Sequence, residues 1–210
     1  MHMPSIVDQQ VSIVSAASDL FMRYGIRSVS MDDISIALGI SKKTLYQLVP
    51  NKDELLSQVI DFKRKLDIQL MDDIQLRSNN ALHEMVQMAE LFLMIMKELK
   101  PTFLHDLKKY YALQWSEVQK FHDQELRMRI KSNIDRGIEE GYYRQDIDSG
   151  IVSRLYVNAA WSLTNEVMVT FDNIEWSRLN RQHILYHIYG LLATKGHEHL
   201  KDYKFFQDEN

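Results

Sequence analysis

Four side chains between residues 42 and 47 carry the chemistry that a nucleic acid asks of a protein. Lys42, Lys43 and Thr44 open a short helical stretch, KKTLYQLV, and Gln47 lies one turn beyond Lys43 on the same face. A lysine donates to guanine O6 or N7, a glutamine pairs with adenine, and a threonine offers a hydroxyl or a methyl. Lys42 is ambiguous, because the first residue of a helix can turn to the groove or to the backbone. Upstream, Ser30 opens SMDD. Its hydroxyl can cap a helix, Asp33 can reach back to complete a capping box, and the first amides of that helix can hold a phosphate.

These residues act together only if the elements around them hold a helix-turn-helix. Ile6, Ile13, Ala17, Leu20, Phe21 and Tyr24 recur at helical spacing, and Gly25 with Ile26 reads as a glycine stop followed by its apolar partner, giving a first helix over 5–24. The second runs from Ser30 to Leu38 and is expected to bury Ile34, Ala37 and Leu38. Gly39 supplies a left-handed turn, Ser41 caps the third helix, and Asn51 with Glu54 starts a long fourth helix to about Leu76. In such a motif the second helix of the pair enters the major groove, and the first crosses the backbone.

The detail is more specific than a helical hairpin. Residues 12–55 resemble the N-terminal DNA-binding domain of the TetR/AcrR family of bacterial regulators. The matching stretches are A..LF...G from Ala17 to Gly25, VSMDDIS..LGISKKTLY from Val29 to Tyr46, and NKDELL from Asn51 to Leu56. The resemblance implies that Thr44 and the lysines before it belong to the recognition surface, and that Tyr46 and Lys52 contact phosphate. Tyr46 suits that role with a hydroxyl at the far end of its ring. Lys52 stands at a helix N-terminus, whose amides add to its positive field. Where the family usually has an aromatic residue this chain has Val49, and a smaller side chain there is expected to loosen the packing of the third helix on the fourth.

The 210 residues are 45% apolar and 26% charged, a globular composition, with only 7 Gly and 3 Pro to interrupt helices. No cysteine is present, which excludes disulfides, thiolate chemistry and cysteine metal sites. The formal net charge is −4, but it is uneven. Residues 1–65 hold eight Lys and Arg against seven Asp and Glu, and the remainder 17 against 22. The longest apolar run, LFLMIM at 91–96, is too short to span a bilayer, and MHMPS lacks the pattern of a signal peptide, His2 and Met3 reading as a cloning remnant. No membrane partner is expected, and the reading is cytoplasmic.

Helical periodicity continues over 81–99, 102–121, 123–140, 149–171 and 176–195, with no alternating strand pattern. The expected fold is all-α, about nine helices, with a three-helix head over 1–51, a connecting helix over 52–76 and a larger region over 77–210. The resemblance implies that this region binds a small-molecule ligand and forms a homodimer. Met85, Met88, Phe92, Met96, Phe103, Tyr110, Tyr111, Trp115 and Trp161 are the candidates for an apolar pocket, since methionine fills irregular space and tolerates repacking. The last two long helices carry the dimer candidates Tyr156, Trp161, Tyr186 and Tyr189, with Leu163 and Ile188 beside them, all expected to be exposed in a single chain.

Enzyme chemistry finds little support. His183 and His187 stand at i, i+4 and could pair on a metal, but HILYH lacks the glutamate of a zinc-protease helix, and HEH at 197–199 reads as a polar tail. GISKKT lacks the glycine spacing of a phosphate loop, and no Gly-x-Ser-x-Gly occurs. The sequence therefore reads as a regulator, a non-enzyme without a cofactor, that binds a palindromic double-stranded DNA operator as a dimer and is released by a small molecule. The alternatives are a helical ligand-binding module without DNA binding and a helical metalloprotein.

Overall fold

Ile13, Ala17 and Phe21 follow one another at four-residue steps along α1 (Ile6–Tyr24), and all three are buried. The structure, a computed structural model, describes residues 6–170 and 176–207. The expectations for MHMPS and for a helix end at residue 171 lie outside them. Gly25 stops α1 at φ 86°, its amide donating to the Phe21 carbonyl at 2.9 Å, and Ile26 turns inward and is fully buried. A left-handed φ of that size is strained for any residue with a Cβ.

α2 (Met31–Leu38) packs Ile34 into the same core, with Met31 and Ser35 buried beside it and Leu38 half-buried. Ala37, expected inside, is exposed. At about 100° per residue, positions 31, 34, 35 and 38 share one face, and position 37 lies about 110° from its centre. The buried Ser35 hydroxyl is satisfied by the Asp32 carbonyl at 2.8 Å. α3 (Lys42–Leu48) and α4 (Lys52–Arg77) follow, and α4 adds Leu55, Leu56 and Val59 to the core.

Beyond α4 come α5 (Ala81–Glu98), α6 (Pro101–Tyr110), α7 (Ala112–Lys120), α8 (Arg127–Glu139), α9 (Ser149–Thr170), α10 (Trp176–Leu191) and the short α11 (Thr194–His199). The all-α expectation holds among the described residues, where extended pairing is limited to an isolated bridge between Tyr143 and Leu192. Among those residues the nine expected helices become eleven. The stretch 102–121 breaks at Tyr111, which leaves helical geometry, and α11 follows α10 as a separate turn. A π-helical segment, Phe121–Leu126, joins α7 to α8.

The chain forms two compact units, one of residues Met1–Gln69 with Glu98–Gln119, the other of Leu70–Lys97 with Lys120–Asn210. The linear division into 1–51, 52–76 and 77–210 is crossed by α6 and α7. The reason is packing: Phe103 and Leu107, one turn apart on α6, are buried in the head's core, and Tyr111, Trp115 and Val118 lie against it. In the second unit, Glu84 and Asn133 are buried polar groups, the first held by an ion pair alone. Arg136 reaches Glu84 at 3.1 Å, and the Asn133 amide donates to the Ala81 carbonyl at 2.9 Å. Tyr143 donates its hydroxyl to that same carbonyl and to Asn133, each at 3.1 Å. Its ring lies so close over Gly137 that a Cβ there would overlap it, so α8 needs glycine at that position.

Candidate nucleic-acid interface

α3 owes its orientation to two buried residues. Leu45 and Val49 stand four apart with no exposure, and burying a leucine side chain fully contributes about 2 kcal/mol. Val49 is thus buried in the head's core. With that face turned inward, Lys43, Tyr46 and Gln47 are left exposed together, and Thr44 is half-buried.

The turn before α3 is built for a close helix pair. Gly39 adopts φ 64°, and the amides of Gly39 and Ile40 close on the carbonyls of Ile36 and Ser35, each at 3.1 Å. Ser41 accepts from the Thr44 amide at 3.1 Å and lies 2.8 Å from the Thr44 hydroxyl. Thr44 is therefore part of the cap as well as of the candidate reading surface.

Lys42 and Lys43 part company. Lys42 turns back to α2 and pairs with Asp32 at 2.7 Å, a contact that holds its ammonium above the ordinary lysine range. Lys43 carries no ion pair or hydrogen bond among the described residues. Sequence spacing gives no sign of the Asp32 contact, which joins different helices.

Ser30 completes a capping box. Its hydroxyl accepts from the Asp33 amide at 3.2 Å, while the Asp33 carboxylate accepts from the Ser30 amide at 2.8 Å and from its hydroxyl at 2.6 Å. The bonds from Ser30 lower the Asp33 carboxyl below its usual range. Asn51 caps α4, accepting from the Glu54 amide at 2.8 Å. Lys52 follows it half-buried, with Nζ 5.8 Å above the Phe21 ring, and burial lowers its ammonium despite the carboxylates of Asp106, Asp53 and Asp33.

The nine pocket candidates are divided between the two units. Met85 and Met88 are buried in the second unit, where Phe92, Met96 and Trp161 are half-buried. Phe103 lies in the head's core, Tyr111 and Trp115 against it, and Tyr110 is exposed, with the Arg27 guanidinium 4.3 Å over its ring.

Of the dimer candidates, Tyr156, Tyr186 and Tyr189 line one concavity of about 830 Å³ between α9 and α10. Tyr186 and Tyr189 are exposed and Tyr156 is half-buried, stacked on His187 at 3.9 Å and on His183 at 4.9 Å. Trp161 stands apart against His122, and Leu163 is half-buried. Ile188, expected outside, is fully buried, because it shares with Ile184 and Leu191 the inner stripe of α10.

Among the described residues the capped pair α2 and α3, with lysines at the exposed start of α3, has the architecture of a helix-turn-helix. Residues 13–59 match the model of the family described as bacterial regulatory proteins, tetR family. YvaF of Bacillus subtilis (strain 168), an uncharacterised HTH-type transcriptional regulator, is 32% identical over 99 residues, 47% of this chain and 52% of that protein. The chain thus spans about half the length of that relative. A transcriptional regulator from Cytophaga hutchinsonii ATCC 33406 has the same fold, with TM-score 0.73, 16% identity and coverage of 88% of this chain and 99% of that one. So does a transcriptional regulator from Saccharomonospora viridis solved in complex with choline, with TM-score 0.69, 18% identity and coverage of 89% and 99%. Over residues 13–59 the chain is thus similar to the tetR family of bacterial regulatory proteins, and YvaF is named as a transcriptional regulator. Among the described residues no helix is long and apolar enough to cross a membrane.

Proposed function

We propose that the protein is a dimeric repressor that inserts α3 into the major groove at each half of a palindromic operator and leaves it when a small molecule binds the second unit. The observation that carries the reading is the exposed trio Lys43, Tyr46 and Gln47, held outward by the burial of Leu45 and Val49. Lys43, Thr44 and Gln47 read bases, and Tyr46, Lys52 and the N-terminus of α2 at Ser30 hold phosphate.

Support for the dimer comes from α9 and α10, where Leu155, Tyr186 and Tyr189 are exposed and line the concavity and Ile151 is exposed on α9. A single chain gains nothing from exposing them, whereas an isologous interface buries each twice. Support for a ligand comes from the similar fold found in complex with choline. Ligand in the second unit favours a spacing of the two heads that no longer matches adjacent major grooves, about 34–36 Å apart.

The test is a gel shift on the DNA upstream of the protein's own gene, with footprinting. A protected palindrome, released by a member of a metabolite panel, is the expected result. Absence of salt-dependent binding to any duplex would favour a ligand-binding module without DNA binding.

A further inference from the structure

The C-terminal half of α5 contains Leu91–Met96, six apolar residues in succession, of which Met94 is exposed and the other five are half-buried. The π-helical segment 121–126, in the same unit, buries no residue either. A helix apolar on all sides is ordinarily enclosed, so this half-enclosed run leaves apolar surface open.

His122 lies in that segment. The Arg127 amide donates to its carbonyl, five residues back, which is the π-helical step. Such steps interrupt an α-helix at a cost and recur at functional sites. The His122 ring is largely enclosed, 4.6 Å from the Trp161 ring and edge-on to Phe121 at 5.9 Å. Among the described residues neither ring nitrogen has a hydrogen-bond partner, and neither is sealed off. They therefore open on space that the protein leaves unfilled. Burial lowers the imidazole to about 4, overriding the Asp123 carboxylate, so at neutral pH the ring is uncharged, with one N–H and one lone pair.

The arginines nearby already have partners. Arg127 donates through Nε to the Asp123 carbonyl at 3.0 Å, and Arg129 bridges Asp72 at 2.7 Å and Glu125 at 2.9 Å. Arg129 is thus balanced by two carboxylates, Glu125 is already neutralised, and Arg127 has its Nε–H committed to a carbonyl.

We propose that His122 and Trp161 form the recognition point of the small-molecule site, and that its ligand is an uncharged, largely apolar aromatic molecule with one hydrogen-bonding group. The imidazole pairs that group and the indole covers the adjoining ring. The assignment rests on the ligand-responsive reading above and adds to it the chemical class of the ligand.

The probe is N-phenyl-1-naphthylamine, uncharged with a single N–H, compared with its sulfonated relative 1-anilinonaphthalene-8-sulfonate. Both are titrated into full-length wild type, His122→Phe and His122→Asn. Wild type is expected to bind the uncharged probe at one site per chain, about tenfold tighter than the sulfonate, whose charge would enter unpaired. His122→Phe is expected to lose about tenfold, the worth of one hydrogen bond, and His122→Asn to recover part of it. The acceptor-nitrogen resonance of His122 should shift on binding, which a packing role would not produce. Equal affinity in wild type and His122→Phe, an unmoved nitrogen resonance, or no saturable binding by wild type would each overturn the assignment. The ligand-responsive reading is tested separately by operator release.

Discussion

The Asp106 carboxylate on α6 accepts a hydrogen bond from the Arg27 backbone amide at 2.9 Å. That amide belongs to the turn between α1 and α2, so a side chain from far along the chain fixes the entry to the helix-turn-helix. The site is crowded: a Cβ on Gly25 would stand 3.3 Å from Asp106 Oδ2 and 3.4 Å from Thr102 Oγ1. One turn along α6, Tyr110 lies under the Arg27 guanidinium. A hydrogen bond to a charged acceptor contributes about 1.5–3 kcal/mol, and less where water competes. Asp106→Ala should lower the stability of the head by about 1–2 kcal/mol and weaken operator binding, while Asp106→Asn, which keeps an acceptor, should retain much of both. Denaturant unfolding and gel shifts on the two variants check this.

The two lysines at the start of α3 should differ when each is removed. Lys42 is held by Asp32 on an exposed surface, so Lys42→Ala should change operator affinity little, and Asp32→Ala should tighten binding to all duplexes by freeing a cation. Lys43→Ala should cost about 1–3 kcal/mol and relax the preference at one position in each half-site. Affinities on operator and random duplexes decide it.

Lys52 offers a contrast in kind. Lys52→Ala should weaken all sequences alike and flatten the salt dependence by about one unit per contact removed. Because burial lowers its ammonium, the affinity of wild type should begin to fall at alkaline pH below the ordinary lysine range, and Lys52→Arg should remain charged and hold. Binding measured against salt and against pH gives both results. If Lys52→Ala alone erased operator preference while Lys43→Ala left it intact, the orientation assigned to α3 would be wrong.

The head is legible in the sequence because its signals are local. Ser30 with Asp33, Gly39, Ser41 and Asn51 with Glu54 each act within four residues, and each makes the cap or turn that its type favours. Phe103, Tyr111 and Trp115 read as pocket but belong to the head, because periodicity says that a face is buried and not against what. The Lys42–Asp32 and Arg27–Asp106 contacts join different helices and leave no trace in spacing. The π-helical step at His122 is equally hidden, since FHDQEL continues an α-helical pattern.

Burial makes two histidines sensors of acid. His122 is lowered to about 4 by burial, and His187 to about 3 by burial with a contribution from His183. An unfolded histidine titrates near 6.5. Between these values the unfolded chain takes up the proton and the folded one does not, so stability is fully present above about pH 6.5 and is lost as pH falls toward 4. For His122 alone the effect is on the order of 3 kcal/mol, since a tenfold difference in proton affinity between the two states is about 1.4 kcal/mol. His122→Phe should flatten the fall in Tm over that window, which melting curves from pH 7 to pH 4.5 would show. A Tm profile identical to that of wild type would contradict it.

The dimer face is best tested at Tyr186, the most exposed of the described aromatics of α10, which stands at the rim of the concavity with Tyr189 nearby. Aromatic residues that fill a partner's hollow carry a large share of interface energy, about 2 kcal/mol or more each. Tyr186→Asp would place a charge where the proposed second copy excludes water, without touching the buried stripe of Ile184, Ile188 and Leu191 on the same helix. The variant should therefore keep the melting behaviour of a folded chain and sediment as a monomer, with wild type at twice the chain mass. Trp161→Asp should behave differently, because Trp161 packs on His122 rather than at the concavity, and its loss should disturb the fold before the assembly. Loss of dimer in Tyr186→Asp should also remove cooperative binding to the two half-sites while leaving weak contact with a single half-site, since α3 is intact. Wild type sedimenting as a stable monomer at micromolar concentration would sink the interface, and unchanged dimerisation in Tyr186→Asp would move it off the α9–α10 face.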